Sequence, residues 1–185
     1  MKTMLRSIIA AALAMTLVLP AAAWGKTGHR VTGKIAEAYL TPEARAAIAD
    51  ILGSENLAEA SIWADFMRGS PDGIWPRAAN AWHYVTIPQG KTYEDVGAPE
   101  SGDAITALAG FGDTLRSETA SKEEKALALR FAVHIIGDLH QPLHAANGTD
   151  NGGNWFTVAF FNKATNLHAV WDSGMIDDEQ LSFTE

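Results

Sequence analysis

Apolar residues recur at helical spacing through most of this chain. Val31, Ile35 and Tyr39 fall near one face of a helix that Thr27 can cap and that runs to about Leu40. Thr41-Pro42-Glu43 is a second start, with a capping hydroxyl followed by proline at the first helical position. That helix ends at Gly53, and a shorter one is predicted over Ala58 to Met67. The Gly/Pro/Asp-rich stretch Gly69 to Pro76 reads as loop, and so does Gln89 to Ser101. Between them Trp82 to Ile87 is aromatic and β-branched and stops at Pro88, which suits a strand or an extended segment.

Asp103 to Leu115 reads as helix. Ser121-Lys-Glu-Glu124 is a capping box opening the longest helix, which runs to about Gln141 and stops before Pro142. After the Gly/Asn/Asp loop Asn147 to Gly153, Trp155 to Phe161 and the residues beyond Asn162-Lys163 suit a small hairpin. Asn166 caps a last helix. The expected fold is therefore one all-α domain with at most a small β-hairpin. It shows no repeat, linker or low-complexity segment.

The first residues break from this pattern. Lys2 and Arg6 precede an apolar run from Ile8 to Leu19, and Ala21-Ala22-Ala23 is a small-residue cleavage pattern. We expect residues 1–23 to be a cleaved export signal, leaving 24–185 as a secreted or periplasmic domain that no longer engages a membrane. The alternative is an uncleaved N-terminal anchor. The chain has no cysteine, so disulfides and thiolate zinc sites are excluded. Its formal net charge of −8 argues against a basic nucleic-acid groove. A polyanionic substrate would need its positive charge from bound metal.

The candidate chemistry is histidine and aspartate. The centre is His134-Ile-Ile-Gly-Asp138-Leu-His140-Gln-Pro-Leu-His144, and a second unit is Asn166-Leu-His168-Ala-Val-Trp171-Asp172. Each holds a His and an Asp four apart, one helical turn along the same face. Imidazole nitrogen with carboxylate oxygen suits zinc. A lone helical histidine is more often a hydrogen-bonded core residue. The repetition of the pair, with His144 just past Pro142, points to a multi-metal catalytic site. His140 lies off the His134/Asp138 face and reads as a structural or supporting residue. His29, Asp65 and His83 have weaker local signals. Each also fits an ordinary reading: an N-terminal polar residue, a helix-surface carboxylate and a satisfied strand histidine.

Taken in order, these pieces resemble the zinc-dependent single-strand nuclease and 3′-nucleotidase family, nuclease S-one/P-one. They are Trp24-Gly with Gly28-His29, Trp63-Ala-Asp65, Trp82-His83-Tyr84, the His134 to His144 unit, Gly152-Gly153-Asn154-Trp155, and Asn166 to Asp172. The resemblance implies three zinc ions in one cleft between helices. One would be held by Asp65, His83, His134 and Asp138, and a second by His144, His168 and Asp172. The third would be held by His29, Asp138 and Trp24, the last through its free amine and carbonyl, so that cleavage after Ala23 creates a ligand.

It further implies hydrolysis of single-stranded DNA and RNA to 5′-phosphate products, 3′-nucleotidase activity and a monomer. Asp65, Asp138 and Arg68 would carry the chemistry, with Arg68 on phosphate. Tyr84 would stack a base, opposite Gly152 and Asn154. Thr86 stands where many fungal and plant members have a base-reading Asp, and fungal disulfides are absent. Family members continue with helices beyond the position of Glu185, so a C-terminally truncated domain is expected.

A zinc phospholipase C shares the metal architecture by resemblance. Its members end the second helical pair with Glu, where this chain has Asp172, and place the first His further from the N-terminal Trp. A non-catalytic periplasmic zinc-binding protein is the remaining reading. That class carries His-rich runs or closed ligand sets, which this chain lacks.

Overall fold

The computed structural model describes residues 24–71 and 79–185. The expected export signal, and the end of the Gly69 to Pro76 loop, lie outside the described residues. The architecture is the helical one expected. The helices are α1 (Lys26–Ala38), α2 (Pro42–Leu52), α3 (Leu57–Ala60), α4 (Trp63–Met67), α5 (Tyr93–Val96), α6 (Ala104–Arg116), α7 (Lys122–Leu139), α8 (Leu167–Ala169) and α9 (Met175–Asp178). A two-stranded antiparallel hairpin, β1 (Thr157–Phe160) with β2 (Lys163–Asn166), pairs Thr157 with Asn166. Its tight turn holds Phe161 and Asn162 at positive φ.

Helix α7 is the axis. Phe131 and Ile135 on it are fully buried and meet Ala64 of α4, Ala79 and Ala104 of α6. Around this cluster the Phe111 and Phe131 rings stack, and Trp82 meets both edge-on. Such pairs add about 0.5–1.5 kcal/mol beyond the area they bury. The caps read from the sequence at Thr41 and Ser121 form, the second as a full capping box.

Several elements differ from expectation, each for a local reason. Helix α1 starts at Lys26 behind Gly25, not behind Thr27, because tertiary contacts fix its entry. Gly25 N–H donates to Asp172 O at 2.6 Å, and the Trp24 indole donates to Gly137 O at 2.8 Å. The single helix expected over Ala58 to Met67 is two, α3 and α4, broken around the buried Ser61. Asn56 and Glu59 make a capping box that starts α3 at Leu57.

Trp82 and His83 end a 3₁₀ turn (Ala79–His83), and only the residues after it are extended. The Gln89 to Ser101 loop contains α5, opened by a Thr92/Asp95 capping box. The last helix is interrupted as well: α8 passes into a π turn, Val170–Gly174, before α9.

Candidate metal centre

His134 and Asp138 lie one turn apart on α7, both fully buried. Three other segments bring partners to them. From α1 comes His29, whose ring stacks on His134 at 4.0 Å and whose Nε2 is 3.2 Å from Asp138 Oδ1. The approach is possible because position 137 is glycine. A Cβ there would sit 3.0 Å from Thr32 Oγ1 and 3.2 Å from His29 Nδ1.

From α4 comes Asp65, with Oδ1 4.0 Å from His134 Nε2. The 3₁₀ turn supplies His83, whose Nδ1 is 2.9 Å from His134 Nε2 and 3.0 Å from Asp138 Oδ2. His134 Nε2 lies 3.1 Å from the same Asp138 oxygen.

A second group forms beyond the end of α7. Pro142 starts a 3₁₀ turn (Pro142–Ala145) that returns the chain and buries His144. His168 and Asp172 come from α8 and the π turn, with His168 Nε2 2.9 Å from Asp172 Oδ2. A π turn of this kind is rare and concentrates at functional sites. The His144 and His168 rings stack at 5.1 Å. His144 Nε2 is 3.6 Å from Asp172 Oδ1.

Three of the imidazoles are oriented in one way. His134 Nδ1 donates to Ser61 O, His144 Nδ1 to His83 O and His168 Nδ1 to Gly152 O, each at 2.6 Å. A proton fixed on Nδ1 leaves Nε2 as a lone pair aimed into the cluster, the usual support for a metal-bound histidine. The break between α3 and α4 contributes here, since it supplies the Ser61 carbonyl that His134 uses.

Burial without partners is the second indication. His29 Nε2, Asp65 Oδ1, Asp138 Oδ1, His144 Nε2 and Asp172 Oδ2 are buried and make no hydrogen bond. Orphaned buried polar atoms are costly and call for an explanation. Their positions sort into His29/His134/Asp138, Asp65/His83/His134 and His144/His168/Asp172, each with donor atoms within 4.8 Å of one another. Donors at about 2.0–2.1 Å from one zinc ion stand roughly 3.3 Å apart in a tetrahedron. The closest separations around Asp138, 2.9 to 3.2 Å, lie just under that figure, so the residues fit a small divalent cation after a slight outward adjustment.

The charges are arranged to match. Burial alone would raise the Asp138 carboxyl, but His134, His29 and His83 hold it well below the ordinary carboxylate range. Asp172 is likewise lowered against its burial by His144 and His168. Burial lowers His29, and it pushes His83 down to about 4. His134 is raised despite its burial, chiefly by Asp138, and His144 by Asp172. Ionised carboxylates facing imidazoles are the donor set that a divalent ion needs.

Other residues singled out by sequence fall at the rim. Arg68 sits one turn after Asp65, with Nη2 3.7 Å from Asp65 Oδ1. Tyr84 is about half exposed beside His83. Tyr84 and Thr86 line an open cavity of about 420 Å³ that is bounded on its other side by Val96, Pro99 and Asp103 and is lined by none of the clustered His and Asp residues. Gly152 turns its carbonyl to His168, and the Asn154 amide folds back onto Asn151 O at 2.9 Å. His140 is exposed at the end of α7, with Nδ1 bonded to Ile136 O, away from both groups.

Sequence reading did not find the supporting groups: Ser61 O, Gly152 O, the Trp24 indole and the side chain of Gln141. Carbonyls leave no residue-type signal. Gln141 stood inside a motif without a role.

Clustered, unpartnered His and Asp donors in a helical domain make a candidate metal site. The S1/P1 nuclease family profile matches residues 24–185, and the chain belongs to that family. It is 34% identical over 193 residues to Endonuclease 4 of Arabidopsis thaliana, covering 96% of this chain and 64% of that protein. Nuclease P1 of Penicillium citrinum is 36% identical over 82% of this chain and 58% of its own length. Nuclease S1 of Aspergillus oryzae is 33% identical over 84% of this chain and 55% of its own length. The chain thus spans roughly three fifths of the curated relatives it matches. Among the described residues no helix is long and apolar enough to cross a membrane.

Proposed function

We propose that this protein is an exported zinc-dependent endonuclease that hydrolyses phosphodiester bonds of single-stranded DNA and RNA to 5′-phosphate products and also acts on 3′-nucleotides. The observation carrying this reading is the convergence of Asp138 with His29, His83 and His134, all buried, with atoms of Asp138, His29 and His83 left unpartnered. Such groups have no structural use in that state and a direct one as ligands. The relatives' names supply the substrate class: they are nucleases and endonucleases.

On this reading Asp65, His83, His134 and Asp138 hold one zinc ion. His144, His168 and Asp172 hold a second. His29 and Asp138 hold a third with Trp24, whose amine becomes available on removal of residues 1–23. Zinc so bound lowers the pKa of water toward neutrality and withdraws charge from a phosphoryl oxygen.

The chain's own residues do the rest. Asp138 remains ionised and supplies one oxygen to each side, Oδ2 toward His83 and His134 and Oδ1 toward His29. Arg68 gives the cleft a fixed guanidinium for a non-bridging phosphate oxygen. The half-exposed Tyr84 ring is a stacking surface at the mouth, and stacking needs an unpaired base, which accounts for a single-strand preference. Gly152 and Asn154 contact the same nucleoside.

The test is release of acid-soluble nucleotides from single-stranded DNA, with phosphatidylcholine as control. Activity lost to chelator and restored by zinc is expected. Cleavage of phosphatidylcholine without nucleotide release would identify a phospholipase. Zinc binding without either would leave a non-catalytic zinc protein.

A further inference from the structure

Gln141 is fully buried and lies between two of the clustered ligands. Its Nε2 donates to Asp172 Oδ1 at 2.5 Å, and its Oε1 accepts from Leu143 N–H at 2.5 Å. These two bonds fix the amide orientation. The reverse would set an NH₂ against an N–H and an oxygen against a carboxylate.

The first bond occupies one Asp172 oxygen and leaves the other, Oδ2, unpartnered and 2.9 Å from His168 Nε2. The second caps the 3₁₀ turn (Pro142–Ala145) that carries His144, and the Gln141 carbonyl accepts His144 N–H at 2.9 Å. One side chain therefore sets the direction of Asp172 and the turn that presents His144. Those two residues are 28 positions apart in sequence and belong to different elements. The cost of burying an amide is met by these partners, and a donor to a ligand carboxylate is worth more than a neutral bond.

We propose that Gln141 is the positioning residue of the His144/His168/Asp172 cluster. It holds the carboxylate and the imidazole in register, so that the affinity of this cluster for a divalent ion depends on it and that of the Asp138 cluster does not. The inference rests on the zinc reading above.

Its test is a zinc titration of the folded chain, followed through the imidazole ring signals of His144 and His168 against those of His83 and His134. Gln141→Met keeps the length and removes both bonds. Gln141→Asn keeps the amide but is one methylene short and cannot serve both partners. In either variant the His144/His168 signals should need about 10- to 100-fold more zinc, the range for loss of an outer partner of a metal ligand. The His83/His134 signals should respond as in the parent chain, and the metal-free unfolding temperature should fall by roughly 2–8 °C per kcal/mol of the lost hydrogen bonds while the transition stays cooperative.

Equal zinc response of both histidine pairs in parent and variants would overturn the positioning role and leave the zinc reading intact. Parallel weakening of both pairs would make Gln141 a general scaffold residue and overturn it too. A parent chain whose histidine signals ignored zinc would overturn the zinc reading itself.

Discussion

The two halves of the centre, one on the last turns of α7 and one just beyond its C-terminal end, are built by different means. Around Asp138, donors arrive from α1, α4 and the Ala79–His83 turn, and helix packing brings them together, with the His134 ring alone tied to a backbone carbonyl, Ser61 O. His29 is placed by the close α1–α7 approach at Gly137, not by hydrogen bonds of its own ring. Around Asp172, donors sit on a 3₁₀ turn and a π turn outside the regular helices. There each side chain is tied by a hydrogen bond: His144 to His83 O, His168 to Gly152 O, Asp172 to Gln141. Packing can place a ligand where regular elements cross. Where the chain turns, an explicit bond must do it.

The N-terminal segment spans both halves, with Trp24 on Gly137 O and Gly25 on Asp172 O. The stretch after His83 also links them, since Val85 N–H donates to His144 O.

The sharpest way to break the contrast is at the shared carboxylate. Asp138→Asn should lose more than one zinc per chain by elemental analysis. Each ion is worth several kcal/mol of charge stabilisation, so nuclease activity should fall by about a thousandfold or more. A full zinc complement in that variant would show that the carboxylate is not shared.

Two glycine substitutions probe each half separately. Gly137→Ala puts a methyl against Thr32 and His29, and Gly152→Ala puts one 2.9 Å from Leu143 O at a backbone φ of +60°. Each should cost about 1–3 kcal/mol of stability by overpacking. Gly137→Ala should weaken zinc at His29, and Gly152→Ala at His168. Chemical denaturation with residue-resolved zinc titration reads both. Identical patterns in the two variants would mean that the halves are one mechanical unit.

At the rim, Tyr84→Ala removes the stacking surface, worth about 1–3 kcal/mol per base. Activity at subsaturating substrate should drop roughly 5- to 150-fold while zinc content is unchanged. Loss of zinc in that variant would move Tyr84 from the rim into the metal half.

The smallest effect is expected at His140. It lies two residues from Asp138 yet is exposed and bonded only to its own helix. His140→Ala should shift stability by no more than about 0.5 kcal/mol and spare both zinc and activity. A measurable loss of zinc would reveal a link from the helix end to the cluster.

The donor types and most of the framework were legible in the amino acids themselves. The His134/Asp138 and His168/Asp172 spacings survive as real neighbours, because a four-residue step is a local property of a helix and, for the second pair, of the turn that extends it. The starts at Thr41 and Ser121 are local too, since a capping side chain reaches only three residues ahead. The hairpin was legible in outline, but its turn is Phe161-Asn162, and Lys163, read as part of the turn, opens β2.

Tertiary structure alone decided what lay far apart in sequence. His29, Asp65 and His83 looked ordinary until α1 and α4 packed on α7, and nothing local in the sequence states that Gly137 is small so that a ring can lie against it. The true start of α1, the break at Ser61 and the π turn under Asp172 were hidden for the same reason. Each spends backbone groups on partners far away in the chain: Gly25 N–H on the Asp172 carbonyl of the π turn, and Ser61 O on His134. Local propensity describes bonds that a segment makes with itself. It cannot register a carbonyl freed for a histidine 73 residues further on.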